Sequence, residues 1–200
     1  MMSSAPLTYV FVIIAAYLLG SVPFGLILTR LAGKGDIRSI GSGNIGATNV
    51  LRTGSKPLAA LTLILDAGKG AAITLLVAAY ADTTAMALAG CAAVIGHCFP
   101  IWLKFCGGKG VATSLAVFAA FDWRLGLLFC GIWLGTAAVT KYSSLAALLA
   151  TLGCAMAGFI LPTSAPVAIA TAGLAGLIWV RHHQNIGRLL SGQESRIGGK

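Results

Sequence analysis

The stretch LTYVFVIIAAYLLGSVPFGLILTRL, residues 7–31, decides the fold class of this chain. A helix of roughly 20 residues crosses the hydrocarbon core of a bilayer, so this run is long enough for one crossing. No basic residue precedes it, so we interpret it as a membrane helix rather than as a cleaved signal peptide. The run therefore predicts an integral membrane protein.

The rest of the chain has the same apolar character. Of its 200 residues, 58% are hydrophobic and 10% are charged, and the mean hydropathy is +0.90, which is outside the range of soluble domains. We predict one all-α domain over residues 1–200 with seven transmembrane helices. Two of them, 110–121 and 125–140, are short for a crossing and would have to tilt or extend. The predicted helices span about 7–31, 57–81, 84–103, 110–121, 125–140, 142–161 and 166–181.

Basic residues orient these helices. Lys and Arg number 14 against 5 Asp and Glu, which gives a formal net charge of +9. With the N-terminus outside and the C-terminus in the cytoplasm, 12 of the 14 basic residues fall on the cytoplasmic side, as the positive-inside rule expects. Loops 32–56 and 104–110 and the tail 182–200 then form the predicted functional face. In this setting the charge indicates membrane lipids as partners, and we predict no nucleic-acid binding.

The cysteines predict no metal site and no redox centre. They lack C-x-x-C or Cys/His ligand spacing, and most lie within apolar runs. We interpret them as small buried hydrophobic residues. They are Cys91, Cys98, Cys106, Cys130 and Cys154.

The first loop contains GSGNIGATN, residues 41–49, a literal G-x-G-x-x-G. A dinucleotide fingerprint needs a strand before its glycines, and the flanks here predict none. Two alternatives remain: the glycines make a tight turn, or they let backbone amides and nearby side chains converge on a phosphate. The candidate contacts are Gly41, Ser42, Gly43, Asn44, Thr48 and Arg52.

A second glycine segment, GGKGVAT at residues 107–113, runs directly into a predicted helix. It is not a Walker A loop, because a glycine follows its lysine where that motif needs Ser or Thr. Glycines, an ammonium group and a helix N-terminus suit an anion, and an ordinary basic interfacial loop is the alternative. The candidates are Lys104, Gly107, Gly108, Lys109 and Gly110.

Three polar residues lie within or beside apolar runs. Asp66 and Lys69 are three positions apart, so we expect them to pair on one helix face. His97 has apolar neighbours in VIGHCFP and is expected to be a hydrogen-bonded interior histidine. We predict that all three support the site without touching substrate.

The last predicted helix ends in RHHQN, residues 181–185. His182 and Asn185 share a helix face. A histidine can act as a general base or as a phosphate donor, and a helix end that snorkels to the headgroups is the alternative.

Three segments together resemble the signature motifs of the bacterial acyl-phosphate:glycerol-3-phosphate acyltransferase family. They are GSGNIGATNVLR, GHCFPIWLKFCGGKGVAT and RHHQNIGRLL, in this order. The resemblance implies a bacterial inner-membrane enzyme with a cytoplasmic site and no cofactor. It implies transfer of an acyl group from acyl phosphate to the 1-hydroxyl of glycerol 3-phosphate, giving lysophosphatidic acid and inorganic phosphate, the first acylation of phospholipid biosynthesis.

The resemblance also implies roles for single residues. It assigns Ser42 and Arg52, with His182 and Asn185, to activity, and the Gly107–Gly110 loop to glycerol 3-phosphate. The family commonly has Glu just before that Asn, where this chain has Gln184, so a role that needs a negative charge there is in question.

Alternatives in mechanism and class stay open. We expect direct attack by the glycerol hydroxyl, with His182 or a substrate phosphate taking the proton. In the rival mechanism Ser42 is a nucleophile that carries the acyl group. The non-enzyme alternative is a phosphate-ester transporter or flippase, which we disfavour because the outer halves of the predicted helices are apolar.

Overall fold

A computed structural model describes residues 5–198, and over these residues all regular secondary structure is helical, with no β-strand. Short 3₁₀ turns occupy Ile37–Ser39, Leu51–Thr53 and Ile101–Leu103. The α-helices are α1 Ala5–Gly20, α2 Phe24–Leu31, α3 Ala47–Val50, α4 Lys56–Tyr80, α5 Thr83–Cys98, α6 Val111–Phe121, α7 Trp123–Thr140, α8 Ser143–Ile160, α9 Ala165–Arg181 and α10 His183–Leu190.

Several helices are long and apolar enough to cross a membrane. Among the described residues there are five such spans, or six if α9 and α10, which meet at a 61° bend, count as one. Helix α6 has 11 residues, or about 16 Å at 1.5 Å per residue, which is shorter than a hydrocarbon core of about 30 Å. The all-α prediction is confirmed, whereas seven crossings and an outside N-terminus stay predictions. The five spans are Pro6–Leu31, Lys56–Tyr80, Thr83–Leu103, Trp123–Thr140 and Ser143–Ile160.

The first apolar run differs from its prediction, because it holds two helices rather than one. Helix α1 ends at Gly20 and α2 begins at Phe24. Pro23 lacks an N–H group and its ring crowds the preceding turn, so it interrupts the helix. The carbonyl of Val22 at this break accepts a hydrogen bond from Lys69 Nζ at 2.8 Å.

The chain divides into two compact units, Met1–Val117 and Phe118–Lys200. The prediction of a single domain therefore stays a prediction, and each unit is described by itself.

In the first unit, α1 and α5 run in the same direction. Tyr9 Oη donates to Asp82 at the start of α5, and Tyr17 Oη donates to the Phe99 carbonyl beyond its end, both at 2.8 Å. The loops that follow α2 and α5 therefore lie at the same end of this unit.

A hydrophobic cluster joins these two loops. Its partly buried members include Leu103, which belongs to the second loop, while its buried members come from α2, the first loop and α4. Burial of each large aliphatic side chain contributes about 1.5–3 kcal/mol, so this cluster holds the first loop against α2 and α4. The buried members are Leu26, Ile37, Ile45, Val50 and Ala59.

In the second unit, α7, α8 and α9 pack as antiparallel neighbours. Cys154 Sγ in α8 donates to the Leu125 carbonyl of α7 at 3.3 Å, and Trp179 Nε1 in α9 donates to the Leu148 carbonyl at 3.2 Å. The tail returns to the joint between α7 and α8, where Ile197 N donates to the Lys141 carbonyl at 2.7 Å. The end of α9 and the tail thus lie at the same end of this unit.

Candidate functional site

One buried amide holds the first glycine segment together. Asn49 is 2% exposed. Its Nδ2 donates to the carbonyls of Ile37 and Asn44 at 2.8 Å each and to that of Ile40 at 3.2 Å. Its Oδ1 accepts from Ser42 N at 3.2 Å. Asn49 is not among the predicted contacts, because the sequence offers no signal that separates it from the other polar residues of the loop.

The glycines of this segment are needed for backbone conformation. Gly41 has φ +56° and Gly43 has φ +67°, in the left-handed region that side chains disfavour. A Cβ on Gly41 would also lie 2.5 Å from both Arg52 Cδ and Asn49 Oδ1. The tight turn of the first alternative is present, and it does not exclude the phosphate contacts of the second.

The predicted phosphate contacts of this segment differ in exposure. Ser42, Thr48 and Arg52 are exposed. Asn44 is half-buried, and its Oδ1 accepts from Gly46 N at 2.9 Å, so this oxygen serves the loop itself. Three of the side chains are thus placed to meet a solute.

Asp36, the acid of the first loop, is bound by arginines. It accepts from Arg38 at 2.5 Å and from Arg30 at 2.8 Å. The side-chain and backbone hydrogen bonds from Arg38, with that from Arg30, hold the pKa of Asp36 well below its ordinary value. Asp36 therefore stays ionised and braces the loop.

Two glycines of the second segment allow the end of α5 to lie close to their backbone. Gly107 N donates to the Cys98 carbonyl at 3.1 Å, and Gly108 N donates to the His97 carbonyl at 3.0 Å. A Cβ on Gly107 would overlap the His97 carbonyl, and one on Gly108 would overlap the His97 imidazole, with Nε2 nearest. These two amides already donate to carbonyls at the end of α5, so they do not face an anion. The predicted anion contacts at this point of the segment are then Lys109 and the start of α6.

The other candidates of this segment surround that helix start. Lys104 is exposed and has φ +52°, a left-handed conformation directly after the 3₁₀ turn. Lys109 is half-buried. Gly110 is buried with φ +82°, and its carbonyl accepts from Ser114 N at 2.8 Å, which is the first bond of α6. One cation therefore precedes the glycines and the other lies among them.

Three ionisable residues are buried beneath the second segment. Lys69 Nζ lies 3.0 Å from Asp66 Oδ1, so the predicted pairing of these residues is confirmed. His97 Nδ1 lies 3.6 Å from the same oxygen. All three are at most 5% exposed. The sequence did not reveal the contact of Asp66 with His97, because it joins two helices.

The third motif lies at the break between α9 and α10. His182 is buried, and its Nδ1 lies 2.8 Å from the Ile178 carbonyl. A carbonyl oxygen only accepts, so the bond assigns the proton to Nδ1 and the lone pair of the neutral ring to Nε2. This tautomer suits a general base. The segment joins the end of α9 to the start of α10, a second short helix.

A carboxylate from the tail binds the motif's asparagine. Asn185 Nδ2 donates to Glu194 Oε1 at 2.6 Å, and Arg188 Nε lies 2.7 Å from Glu194 Oε2. Burial raises the pKa of Glu194, but the hydrogen bonds from Asn185 and Arg188 outweigh it and hold the pKa below its ordinary value. A negative charge thus reaches Asn185 although Gln184 precedes it. The sequence hint was that Glu194 is the chain's only glutamate.

Comparison with known proteins identifies the family. The family model described as glycerol-3-phosphate acyltransferase matches residues 10–192. The chain belongs to this family. A glycerol-3-phosphate acyltransferase of Rhodospirillum rubrum is 56% identical and covers 94% of this chain and 90% of its own length. One of Dinoroseobacter shibae is 52% identical, with 100% and 98% covered.

Solved structures of the family share the architecture. A crystal structure of PlsY (YgiH), an integral membrane glycerol 3-phosphate acyltransferase in its glycerol 3-phosphate form, has a TM-score of 0.90 and 39% identity, covering 94% of this chain and 95% of that one. The lysophosphatidic acid form has a TM-score of 0.87 and 38% identity, covering 94% of both. The resemblance seen in the three motifs is confirmed, and the chain is a multi-pass membrane protein.

Proposed function

We propose that this chain transfers a fatty acyl group from acyl phosphate to the 1-hydroxyl of glycerol 3-phosphate, releasing lysophosphatidic acid and inorganic phosphate. This would be the first acylation of phospholipid biosynthesis. The observation that carries the proposal is the pair of glycine segments with cations at the same end of the first unit, in a member of the glycerol-3-phosphate acyltransferase family. Both proposed substrates carry a phosphate, which accounts for two such segments.

The phosphate contacts follow from what each segment exposes. We assign the phosphate of glycerol 3-phosphate to Lys109 and the N-terminal amides of α6, since a helix N-terminus attracts anions. We assign the phosphate of the acyl donor to Arg52, whose planar guanidinium suits two phosphate oxygens, with Ser42 as a hydroxyl donor.

The reaction proceeds by direct attack. The glycerol oxygen bonds to the acyl carbonyl carbon, the bond from that carbon to the phosphate oxygen breaks, and phosphate leaves with the electron pair. The hydroxyl proton goes to His182 or to a substrate phosphate. Because acyl phosphate is already activated, the protein need only orient the hydroxyl and stabilise the developing charge.

One contact favours this mechanism over a Ser42 nucleophile. Ser42 Oγ lies 3.5 Å from Asn49 Oδ1, an amide oxygen that cannot act as a base. Mass spectrometry of the protein with acyl phosphate alone distinguishes the mechanisms, and an acyl group on Ser42 would overturn direct attack.

We place the reaction at the cytoplasmic side of the bacterial inner membrane, with the N-terminus outside. The support is the positive-inside distribution of the basic residues. A water-soluble acceptor and a lipid-like donor also require a site that opens to both cytoplasm and bilayer.

An assay of purified protein in detergent tests the function. With acyl phosphate and glycerol 3-phosphate it should release inorganic phosphate and form lysophosphatidic acid. Arg52→Ala should reduce turnover at any substrate concentration, whereas Lys34→Ala, at an exposed cation of the same loop, should retain it. Absence of phosphate release, with uptake of glycerol 3-phosphate into liposomes, would support the transporter alternative.

A further inference from the structure

The mechanism leaves His97 without a role, yet this residue lies between two features that matter. Its ring reaches Asp66 with Nδ1, at 3.6 Å. The opposite edge, at Nε2, faces Gly108, where a Cβ would overlap it. The residue is 4% exposed, and its ring fills the space between α4 and the second glycine segment.

The backbone of His97 holds the same segment. Its carbonyl accepts from Gly108 N at 3.0 Å, and the next carbonyl, of Cys98, accepts from Gly107 N at 3.1 Å. The turn is therefore fixed twice: by hydrogen bonds to the end of α5 and by packing on the imidazole. Any shift of the ring must move the backbone that leads into Lys109.

The other side of the segment is bound to the backbone of Asp66. Thr113, in the first turn of α6, donates through Oγ1 to the Asp66 carbonyl at 2.9 Å. Asp66 is itself held by Lys69 Nζ at 3.0 Å, and that ammonium also donates to the Val22 carbonyl. The glycine segment is thus anchored at its beginning through His97 and at its end through Thr113, in both cases to one residue of α4.

We propose that His97 is a positioning residue for the anion bound by the second glycine segment. Its imidazole, packed between the Asp66 carboxylate and Gly108, supports Gly108 and thereby sets the place of Lys109 relative to the phosphate of glycerol 3-phosphate. The inference rests on the proposed function for the identity of the ligand. His97 acts only through the backbone it carries.

A double-mutant cycle between His97 and Gly108 tests this contact. Gly108→Ala alone should raise the KM for glycerol 3-phosphate roughly tenfold or more, since small misplacements are costly, with a smaller change in kcat. His97→Ala should also raise KM. In the His97→Ala background, where the space is vacated, adding Gly108→Ala should raise KM by less than about threefold, because residues in contact are not additive.

A second variant separates positioning from folding. His97→Asn keeps a hydrogen-bond donor on the side of Asp66 but removes the ring edge that faces Gly108, so it should keep more thermal stability than His97→Ala while showing the same coupling. As a matched control, Gly43→Ala in the first loop should change KM and kcat by the same factors in every His97 background.

The outcomes are distinct for the inference and for the proposed function. Equal effects of Gly108→Ala in all three His97 backgrounds, or His97 variants that lower kcat at unchanged KM, would overturn the inference. If wild-type protein binds glycerol 3-phosphate but releases no phosphate from acyl phosphate, only the proposed reaction fails. The double-mutant cycle is then measured with the Kd for glycerol 3-phosphate in place of KM. Wild-type protein that does not bind glycerol 3-phosphate would overturn both.

Discussion

The two glycine segments of the first unit look alike in sequence, each with glycines and a cation within or just after it, but they are built differently. The hydrogen bonds that hold the segment at 41–49 come from within, because the Asn49 amide bonds to four backbone groups of its own loop, while Ile45 packs in the cluster with α2 and α4. The segment at 107–110 is held from outside, by the end of α5 and by a buried ion pair beneath it.

The glycines differ accordingly. Gly43 is required by its positive φ, as is Gly110 of the second segment, and Gly41 by both its positive φ and lack of space, whereas Gly107 and Gly108 are required because another part of the protein touches them. A glycine motif therefore indicates that a side chain is not tolerated. It does not say whether the reason is a positive φ or the close approach of another group. Substitutions can separate the two cases.

The largest effect is expected beneath the second segment. Lys69→Met leaves the buried Asp66 carboxylate without its cation and should cost about 3–5 kcal/mol in the free energy of unfolding, measured by denaturation in detergent. Hydrogen exchange should accelerate at 104–110 and stay unchanged at 41–49.

Two controls belong to this experiment. Lys34→Met, at an exposed lysine, should leave stability unchanged. The double variant Asp66→Asn with Lys69→Met should be more stable than Lys69→Met alone, because no unpaired charge remains. Equal exchange at both segments in Lys69→Met would contradict the idea that they are supported separately.

The next largest effect is expected inside the first segment. Asn49→Ala removes the side-chain donor to the carbonyls of Ile37, Ile40 and Asn44, at about 1–3 kcal/mol, and should reduce turnover on the order of a hundredfold by misplacing Ser42 and Arg52. Exchange should now accelerate at 41–49 and not at 104–110. Thr53→Ala, which loses one bond to the Val50 carbonyl, is the matched control and should retain most activity. Normal turnover in Asn49→Ala would show that the loop does not depend on this amide.

A smaller effect distinguishes a glycine required by its backbone conformation from one required because a neighbouring group leaves no room for a side chain. At Gly43 the φ of +67° costs an alanine about 1–2 kcal/mol, whereas asparagine tolerates this region better. At Gly108 the obstacle is the His97 ring, so asparagine should be worse than alanine. Thermal stability and phosphate release of the four variants should therefore rank in opposite orders at the two sites. The same order at both would mean that the glycines have one common role.

The sequence was informative wherever a signal is local. Apolar runs located the helices, and the three-residue spacing of Asp66 and Lys69 correctly predicted their pairing. The break at Pro23 also had a local signal, which the length of the apolar run obscured.

What could not be predicted depends on contacts between distant residues. Asp66 meets His97 from another helix, and Asn185 meets Glu194 only because the tail turns back. Hydrophobic periodicity carries no information about such partners. The general place of both glycine segments was therefore accessible, whereas the means of holding them was not.

The smallest effect is a pH dependence confined to the first loop. The pKa of Asp36 is lowered below its ordinary value of 3.8 by Arg38 and Arg30, so its ion pairs stabilise the folded loop above pH 3.8 and are lost as the pH falls through the folded-state pKa. The side chain is 32% exposed, and solvent-exposed pairs contribute no more than about 1 kcal/mol. Other carboxyl groups titrate in the same range, so the quantity to measure is the stability difference between wild type and Asp36→Asn in detergent. That difference should be present at about pH 6 and shrink toward zero at strongly acid pH, with exchange at 41–49 following it. A difference that is independent of pH would mean that Asp36 braces the loop through its fit rather than its charge, as the Asn49 amide does.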